Sequence, residues 1–96
     1  MSNLRLSVII PAYNEENRLP KTLKAVDEYL RRQSYEYEIL VVNAGSIDKT
    51  KELVESMMRE VRNLEIMDVA NRGKGYAVRE GMLRARGQYR MFMDAD

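Results

Sequence analysis

Short runs of consecutive apolar residues alternate along the chain with longer stretches in which apolar residues recur every three or four positions. That change of period predicts a strand–helix order repeated from one end to the other. Leu6-Ser7-Val8-Ile9-Ile10-Pro11 is short, β-branched and closed by a proline with no N–H to give a sheet ladder, so it predicts a strand over 6–11. Leu19, Leu23, Val26 and Leu30 then fall on one helical face, with Pro20 suited to a first turn, and predict a helix over about 19–33. Residues 38–42, with Ile39-Leu40-Val41-Val42 in succession, have the continuous apolarity of a strand covered on both faces. Leu53, Val54, Met57, Met58 and Val61 form the stripe of a second helix, capped by Ser46 or Asp48 and ending near 62–63. A third strand follows over 64–69. Ala77, Val78, Gly81, Met82 and Ala85 then mark a third helix that Gly87 should stop, and 89–93 make a fourth strand.

Every connection is too long for a hairpin. A parallel sheet with right-handed crossovers is therefore the economical solution, a Rossmann-like three-layer α/β/α arrangement with strand order 3-2-1-4. In such a sheet the order reverses between strands 1 and 4, and ligands bind beyond the carboxyl ends of the strands at that switch. Residues 11–15, 43–46 and 94–96 should converge there. No repeat, low-complexity segment or linker divides the 96 residues, so 1–96 is expected to be one unit.

Composition narrows the chemistry. There is no cysteine and no histidine, which leaves disulfides, thiolate or imidazole metal ligands and serine–histidine triads without their parts. Asp and Glu are the ordinary acid–base groups near neutrality. Sixteen Lys and Arg against 15 Asp and Glu give a net charge of +1, which provides no global pull toward nucleic acid or anionic lipid. The apolar runs are strand-sized, with neither a secretion signal nor a transmembrane segment, and a soluble, cytoplasmic setting is expected.

Three places could carry function. Asp94 and Asp96, two apart at the end of a strand, project to the same side and could offer oxygen ligands to one hard divalent ion, Mg2+ or Mn2+; two solvated acids are the plain alternative. Gly73-Lys74-Gly75 opens a helix, where backbone N–H groups and an ammonium could meet an anion, although it lacks the pattern of an NTPase loop and also reads as a flexible turn. Tyr13 could stack on a planar base while Glu15 accepts a sugar hydroxyl, or Tyr13 could simply pack on its own loop. The methionines at 57, 58, 82, 91 and 93 stand at core spacings and read as packing.

Taken together, Ser7-Val8-Ile9-Ile10-Pro11-Ala12-Tyr13-Asn14-Glu15-Glu16, Val41-Val42-Asn43-Ala44-Gly45-Ser46-Ile47-Asp48-Lys49-Thr50, Asn71-Arg72-Gly73-Lys74-Gly75 and Asp94-Ala95-Asp96 resemble, in order and spacing, the nucleotide-sugar-binding half of family 2 glycosyltransferases with the GT-A fold. The entry Arg18-Leu19-Pro20 and the segment 73–82 look most like the dolichyl-phosphate glucosyltransferase branch. The resemblance implies a UDP-sugar donor such as UDP-glucose, an inverting transfer and, for the parent enzyme, a polyprenyl-phosphate acceptor at the cytoplasmic face of a membrane. It implies Pro11, Ala12, Tyr13 and Glu15 around the nucleoside, with the loop at Asn43 and Gly45 closing over the base. Lys74 would face the diphosphate, Asp94 the ribose or the water shell of the metal, and Asp96 would ligate the ion.

Two departures shape the expectation. Where the family usually shows Asp-Asp-Gly-Ser this chain has Asn43-Ala44-Gly45-Ser46, and Ala44 cannot accept a hydrogen bond from the uracil N–H as the second acid commonly does. Family members also continue past the Asp-x-Asp element with an acceptor-binding half. The chain is thus expected to be truncated after that element and inactive alone, with apolar surface on strand 4 that favours a homo-oligomer. A second reading is a non-catalytic, excised or engineered α/β scaffold that self-associates. A receiver-like domain fits less well, since its acids should end strands 1 and 3, and strand 1 here ends in Pro11-Ala12.

Overall fold

The computed structural model describes residues 4–70 and 73–95. Its elements run β1 (Leu4–Ala12), α1 (Leu19–Arg31), β2 (Glu36–Ala44), α2 (Thr50–Met57), β3 (Leu64–Val69), α3 (Lys74–Arg84) and β4 (Tyr89–Phe92). The four strands are all parallel, in the order β3-β2-β1-β4. The expected α/β class, strand order and switch between β1 and β4 are what the chain adopts.

Side-chain alternation sorts the sheet into two faces. Val8, Ile10, Ile39 and Val41 pack with Leu19, Leu23 and Leu30 of α1 and Val54 and Met57 of α2, whereas Ile9, Leu40, Val42 and Ala44 pack with Ala77 of α3. Helices on both faces explain the unbroken apolar run of β2, which has no solvent side. The α3 face is the tighter one. A Cβ on Gly81 would stand 2.6 Å from Ile9 Cγ2 and 2.9 Å from Val42 Cγ2, so this glycine lets the helix settle directly on the sheet.

Pro11 does not end β1, because Pro11 pairs with Val42 and Ala12 with Asn43. The Ile9 carbonyl accepts the Met93 N–H at 3.0 Å on the β4 side. Alternation turns the Pro11 nitrogen toward that same side, and the pairing of β1 with β4 ends at Ile9 and Phe92, before residue 11 would have to donate to the ladder. Gly87 acts differently from the expected helix stop: α3 ends at Arg84, and a Cβ on Gly87 would lie 2.8 Å from the Leu6 carbonyl carbon and the Ser7 nitrogen. It is a glycine because the chain entering β4 crosses β1 at contact distance.

That crossing is fixed by a buried carboxylate. The Ser7 hydroxyl donates to Glu38 Oε2 at 2.6 Å, the Arg86 N–H donates to the same oxygen at 2.7 Å, and the Gly87 N–H donates to Ser7 Oγ at 2.8 Å. Burial pushes the Glu38 carboxyl upward, but the Arg86 N–H, the Ser7 hydroxyl and the Arg86 guanidinium together hold it below its ordinary value.

Two methionines expected in the core lie outside it. Helix α2 stops at Met57, so Met58 leaves the stripe and is exposed. Met91 belongs to β4, the outer strand, all of whose residues are exposed. Met57 is buried, and Met82 and Met93 pack half-buried on the two cores. Helix α1 ends at Arg31, two residues early, with the Gln33 N–H donating to the Leu30 carbonyl in a tightened last turn.

Candidate functional site

The carboxyl ends of β1, β2 and β4 surround a cleft of about 290 Å³ lined by Pro11, Ala12, Tyr13, Glu15, Arg18, Ala44, Lys74, Ala77, Asp94 and Ala95. It lies at the topological switch, where strand ends splay toward opposite helix layers and leave a crevice. Six of the eight residues expected around a nucleotide sugar line it together: Pro11, Ala12, Tyr13, Glu15, Lys74 and Asp94.

Its floor is held by two interlocked loops. Asn14 adopts a left-handed conformation at φ 54°, which brings its side chain over the loop after β2. Its Oδ1 accepts the N–H groups of Ile47 at 2.9 Å and Asp48 at 3.3 Å, while its own N–H donates to Ser46 Oγ at 2.9 Å. The Glu15 N–H donates to Thr50 Oγ1 at 2.9 Å, and the Glu16 N–H to Asp48 Oδ2 at 3.4 Å. Asp48 Oδ1 also accepts the Thr50 N–H at 2.9 Å, taking the first donor of α2 from just outside the helix. Burial pushes the Asp48 carboxyl upward, but the Thr50 hydroxyl and the N–H groups of Thr50 and Glu16 hold it below the ordinary aspartate value. Ser46 serves the neighbouring loop instead of capping α2.

Asn43 and Gly45 are near the cleft without lining it. Asn43 is 6 % exposed and its Nδ2 donates at 3.0 Å to Asp68 Oδ1 on β3. Lys51 Nζ sits 2.9 Å from the other oxygen of Asp68, and its hydrogen bond, ahead of that from Asn43, holds the Asp68 carboxyl low. Gly45 turns the chain at φ 73°, a left-handed conformation that favours glycine. The residue of this segment that meets the cleft is Ala44, 2 % exposed.

The polar walls are two ion pairs. Arg18 Nε lies 3.1 Å from Glu15 Oε1 at the start of α1. Across the cleft Lys74, the first residue of α3, pairs with Asp94 beyond the end of β4. The Thr22 hydroxyl donates to the Ala95 carbonyl, tying that segment to α1. Asp96, expected to ligate a metal, lies outside the described residues, as do Asn71 and Arg72. Among the described residues no group of three or more acids stands together as a ready cation cage. Asp94 is a hard oxygen donor at the mouth of the cleft, in a chain with neither cysteine nor histidine, and its chemistry fits Mg2+ or Mn2+ arriving with further oxygen ligands. Arg18 was not among the residues expected in the site. Its place in the sequence marked only a helix entry, and its role in the wall depends on how the loop of 13–18 folds back on itself.

Comparison with known proteins agrees with this geometry. The model of the family described as glycosyl transferase family 2 matches residues 7–96. The dolichyl-phosphate beta-glucosyltransferase of Drosophila melanogaster is 45 % identical over 104 residues, covering 98 % of this chain and 31 % of that protein. Its counterpart in Dictyostelium discoideum is 40 % identical over 104 residues, covering 100 % of this chain and 32 % of that protein. The chain thus spans about a third of the length of the curated relatives it matches. Among solved structures, S. aureus TarS in complex with UDP superposes with a TM-score of 0.83 at 28 % identity, over 97 % of this chain and 28 % of that one. The mannosyltransferase PcManGT from Pyrobaculum calidifontis, in complex with GDP-Man and Mn2+, gives 0.78 at 27 % identity, over 99 % and 28 %. With a parallel sheet of this order, a cleft at its switch point, GT-A structural neighbours and a family match along nearly its whole length, the chain belongs to glycosyl transferase family 2.

Proposed function

We propose that this chain is the donor-binding part of an inverting glycosyltransferase that moves glucose from UDP-glucose to a dolichyl-type polyprenyl phosphate. The observation that carries the reading is the joint presence of Pro11, Ala12, Tyr13, Glu15, Lys74 and Asp94 on one cleft at the switch point of a family 2 sheet. The names of the relatives supply the sugar and the acceptor, and UDP on TarS supports the nucleotide.

In this reading Tyr13 stacks on the base and Glu15 accepts a ribose hydroxyl. Lys74, released from Asp94, turns its ammonium to the diphosphate. Asp94 and Asp96 hold Mg2+ or Mn2+, which when bound supplies positive charge against the charge developing on departing UDP. Among the described residues the charged side chains of the cleft are Glu15, Arg18, Lys74 and Asp94, two of each sign, so a bound cation would add to the attraction that Lys74 offers a diphosphate. Titrating UDP with Mg2+ into labelled protein should shift the amides of Tyr13, Lys74 and Asp94. A spectrum unchanged at millimolar ligand would rule the reading out.

One observation favours a further property of the same chain, self-association through β4. Tyr89, Met91 and Phe92 are 62 %, 45 % and 49 % exposed on an outer strand, and an apolar groove lined by Leu6, Val8, Val26, Met91 and Met93 runs beside it.

A further inference from the structure

We infer that Arg18 is a second phosphoryl-binding residue of the cleft, held at rest by Glu15 and transferred to the ligand when a phosphoryl group enters. The inference rests on the nucleotide-sugar reading of the site and adds a contact to it. Three observations carry it. Arg18 lines the cleft together with Lys74 and Asp94 and also borders the adjoining surface with Lys21 and Thr22, so its guanidinium stands at the rim where a ligand passes. Its Nε is 3.1 Å from Glu15 Oε1, three residues away, in a contact between an exposed guanidinium and a largely buried carboxylate whose Oε1 makes no hydrogen bond among the described residues, so the guanidinium can turn to another acceptor. Glu15 Oε1 is itself shut off from solvent and has no hydrogen bond among the described residues, so the carboxylate is left with accepting capacity that the pair does not satisfy.

A guanidinium presents several donors in a fixed plane matched to phosphate oxygens, and the charge-assisted bonds it makes there are stronger than a partly solvated contact to one carboxylate oxygen. When Arg18 turns to a phosphoryl group, Glu15 Oε1 becomes available to a hydroxyl donor. A ligand with both a phosphoryl group and a nearby hydroxyl, as in a nucleoside diphosphate, satisfies both halves of the opened pair. An alkyl phosphate satisfies only the Arg18 half. The two sources of phosphoryl oxygen in the proposed reaction, donor diphosphate and acceptor monoester, are therefore separable by experiment.

The test is calorimetric titration of the wild-type chain, Arg18→Gln and Arg18→Lys with UDP, uridine and a short polyprenyl phosphate, each with Mg2+. Circular dichroism serves as the check that the exposed substitutions leave the fold intact. Arg18→Gln should weaken UDP, the prenyl phosphate or both about tenfold or more, with Arg18→Lys recovering part of the loss, and uridine should be unaffected. Loss for UDP alone assigns the contact to the donor, and loss for the prenyl phosphate alone assigns it to the acceptor. Equal binding by wild type and Arg18→Gln overturns the inference, and so does an equal loss for uridine, which has no phosphoryl group. A wild-type chain that ignores UDP overturns the nucleotide-sugar reading, while the prenyl phosphate titrations still decide the role of Arg18: binding unchanged by Arg18→Gln, or no binding at all, overturns it.

Discussion

Lys74 and Asp94 form an ion pair that joins the first turn of α3 to the segment beyond β4. Both side chains are more than half exposed, so the pair contributes little to folding, about 0 to 1 kcal/mol. Its position at the cleft gives it another meaning, since any diphosphate bound there competes with Asp94 for the ammonium. Lys74→Gln should leave the melting temperature nearly unchanged and weaken UDP at least tenfold, a loss that shrinks at high salt as screening removes the charge contribution. Thermal melts and UDP titrations at two ionic strengths check both halves of the expectation.

Asn14 ties the loop carrying Tyr13 and Glu15 to the loop after β2. Asn14→Ala removes the acceptor for the Ile47 and Asp48 N–H groups and places alanine at φ 54°, where asparagine is better tolerated. The expected destabilisation is about 2 kcal/mol. Asn14→Gly should relieve the backbone strain while still losing the hydrogen bonds, so amide exchange at residues 46–48 should rise in both variants. Unchanged protection in Asn14→Gly would show that the side-chain bonds do not hold the loops together.

The Glu38 carboxyl is held below its ordinary value of 4.5 by donors that exist only in the folded chain. A lowered folded-state value means that the unfolded chain binds a proton first as the solution is acidified. Glu38 therefore stabilises the fold fully above pH 4.5, and this contribution disappears as the pH falls through its lowered folded value. Glu38→Gln should lose about 1 to 3 kcal/mol at neutral pH and show a flatter stability profile below pH 4.5 than the wild type. Denaturant melts across that range provide the measurement, and parallel curves for the two proteins would contradict the assignment.

The sheet was legible because its strands and helices differ in hydrophobic period, and a buried parallel strand such as β2 admits few other readings. The cleft was legible because the residues of 11–15 and 74 carry their chemistry in sequence order. What could not be read depended on contacts between segments distant in the chain. The requirement at Gly87 comes from the approach of β1, and Asn43 is turned from the cleft by its hydrogen bond to Asp68 on β3. Met58 and Met91 match the apolar pattern, yet one falls just past a helix end and the other on an outer strand. Periodicity identifies an apolar face but not whether something covers it.

The exposure of Tyr89, Met91 and Phe92 predicts concentration-dependent association of the chain in solution. Phe92→Lys adds a charge to the outer strand and should shift sedimentation toward monomer without lowering stability appreciably. A wild-type chain that stays monomeric at millimolar concentration would remove the case for association through β4.

Ala44 is the position where the cleft departs most from the acidic pattern its sequence resembles. Uracil has an N–H that cytosine lacks, so a carboxylate reading that group favours UDP over CDP, whereas an alanine methyl gives neither nucleotide an advantage. The wild-type chain should accordingly bind the two with similar affinity. Ala44→Asp should favour UDP over CDP about tenfold, the effect expected of one recovered hydrogen bond to a charged acceptor. The gain has an opposing term, because Ala44 is 2 % exposed and packs in the cluster with Ala77 and Val42, so an aspartate there loses solvation in the free protein. Stability without ligand should fall by about 1 to 2 kcal/mol and recover when UDP is present, since a ligand bound only by the folded chain adds to its stability. Parallel UDP and CDP titrations, with melts in the presence and absence of nucleotide, separate the two terms. A UDP to CDP ratio unchanged by Ala44→Asp would place the base away from the end of β2.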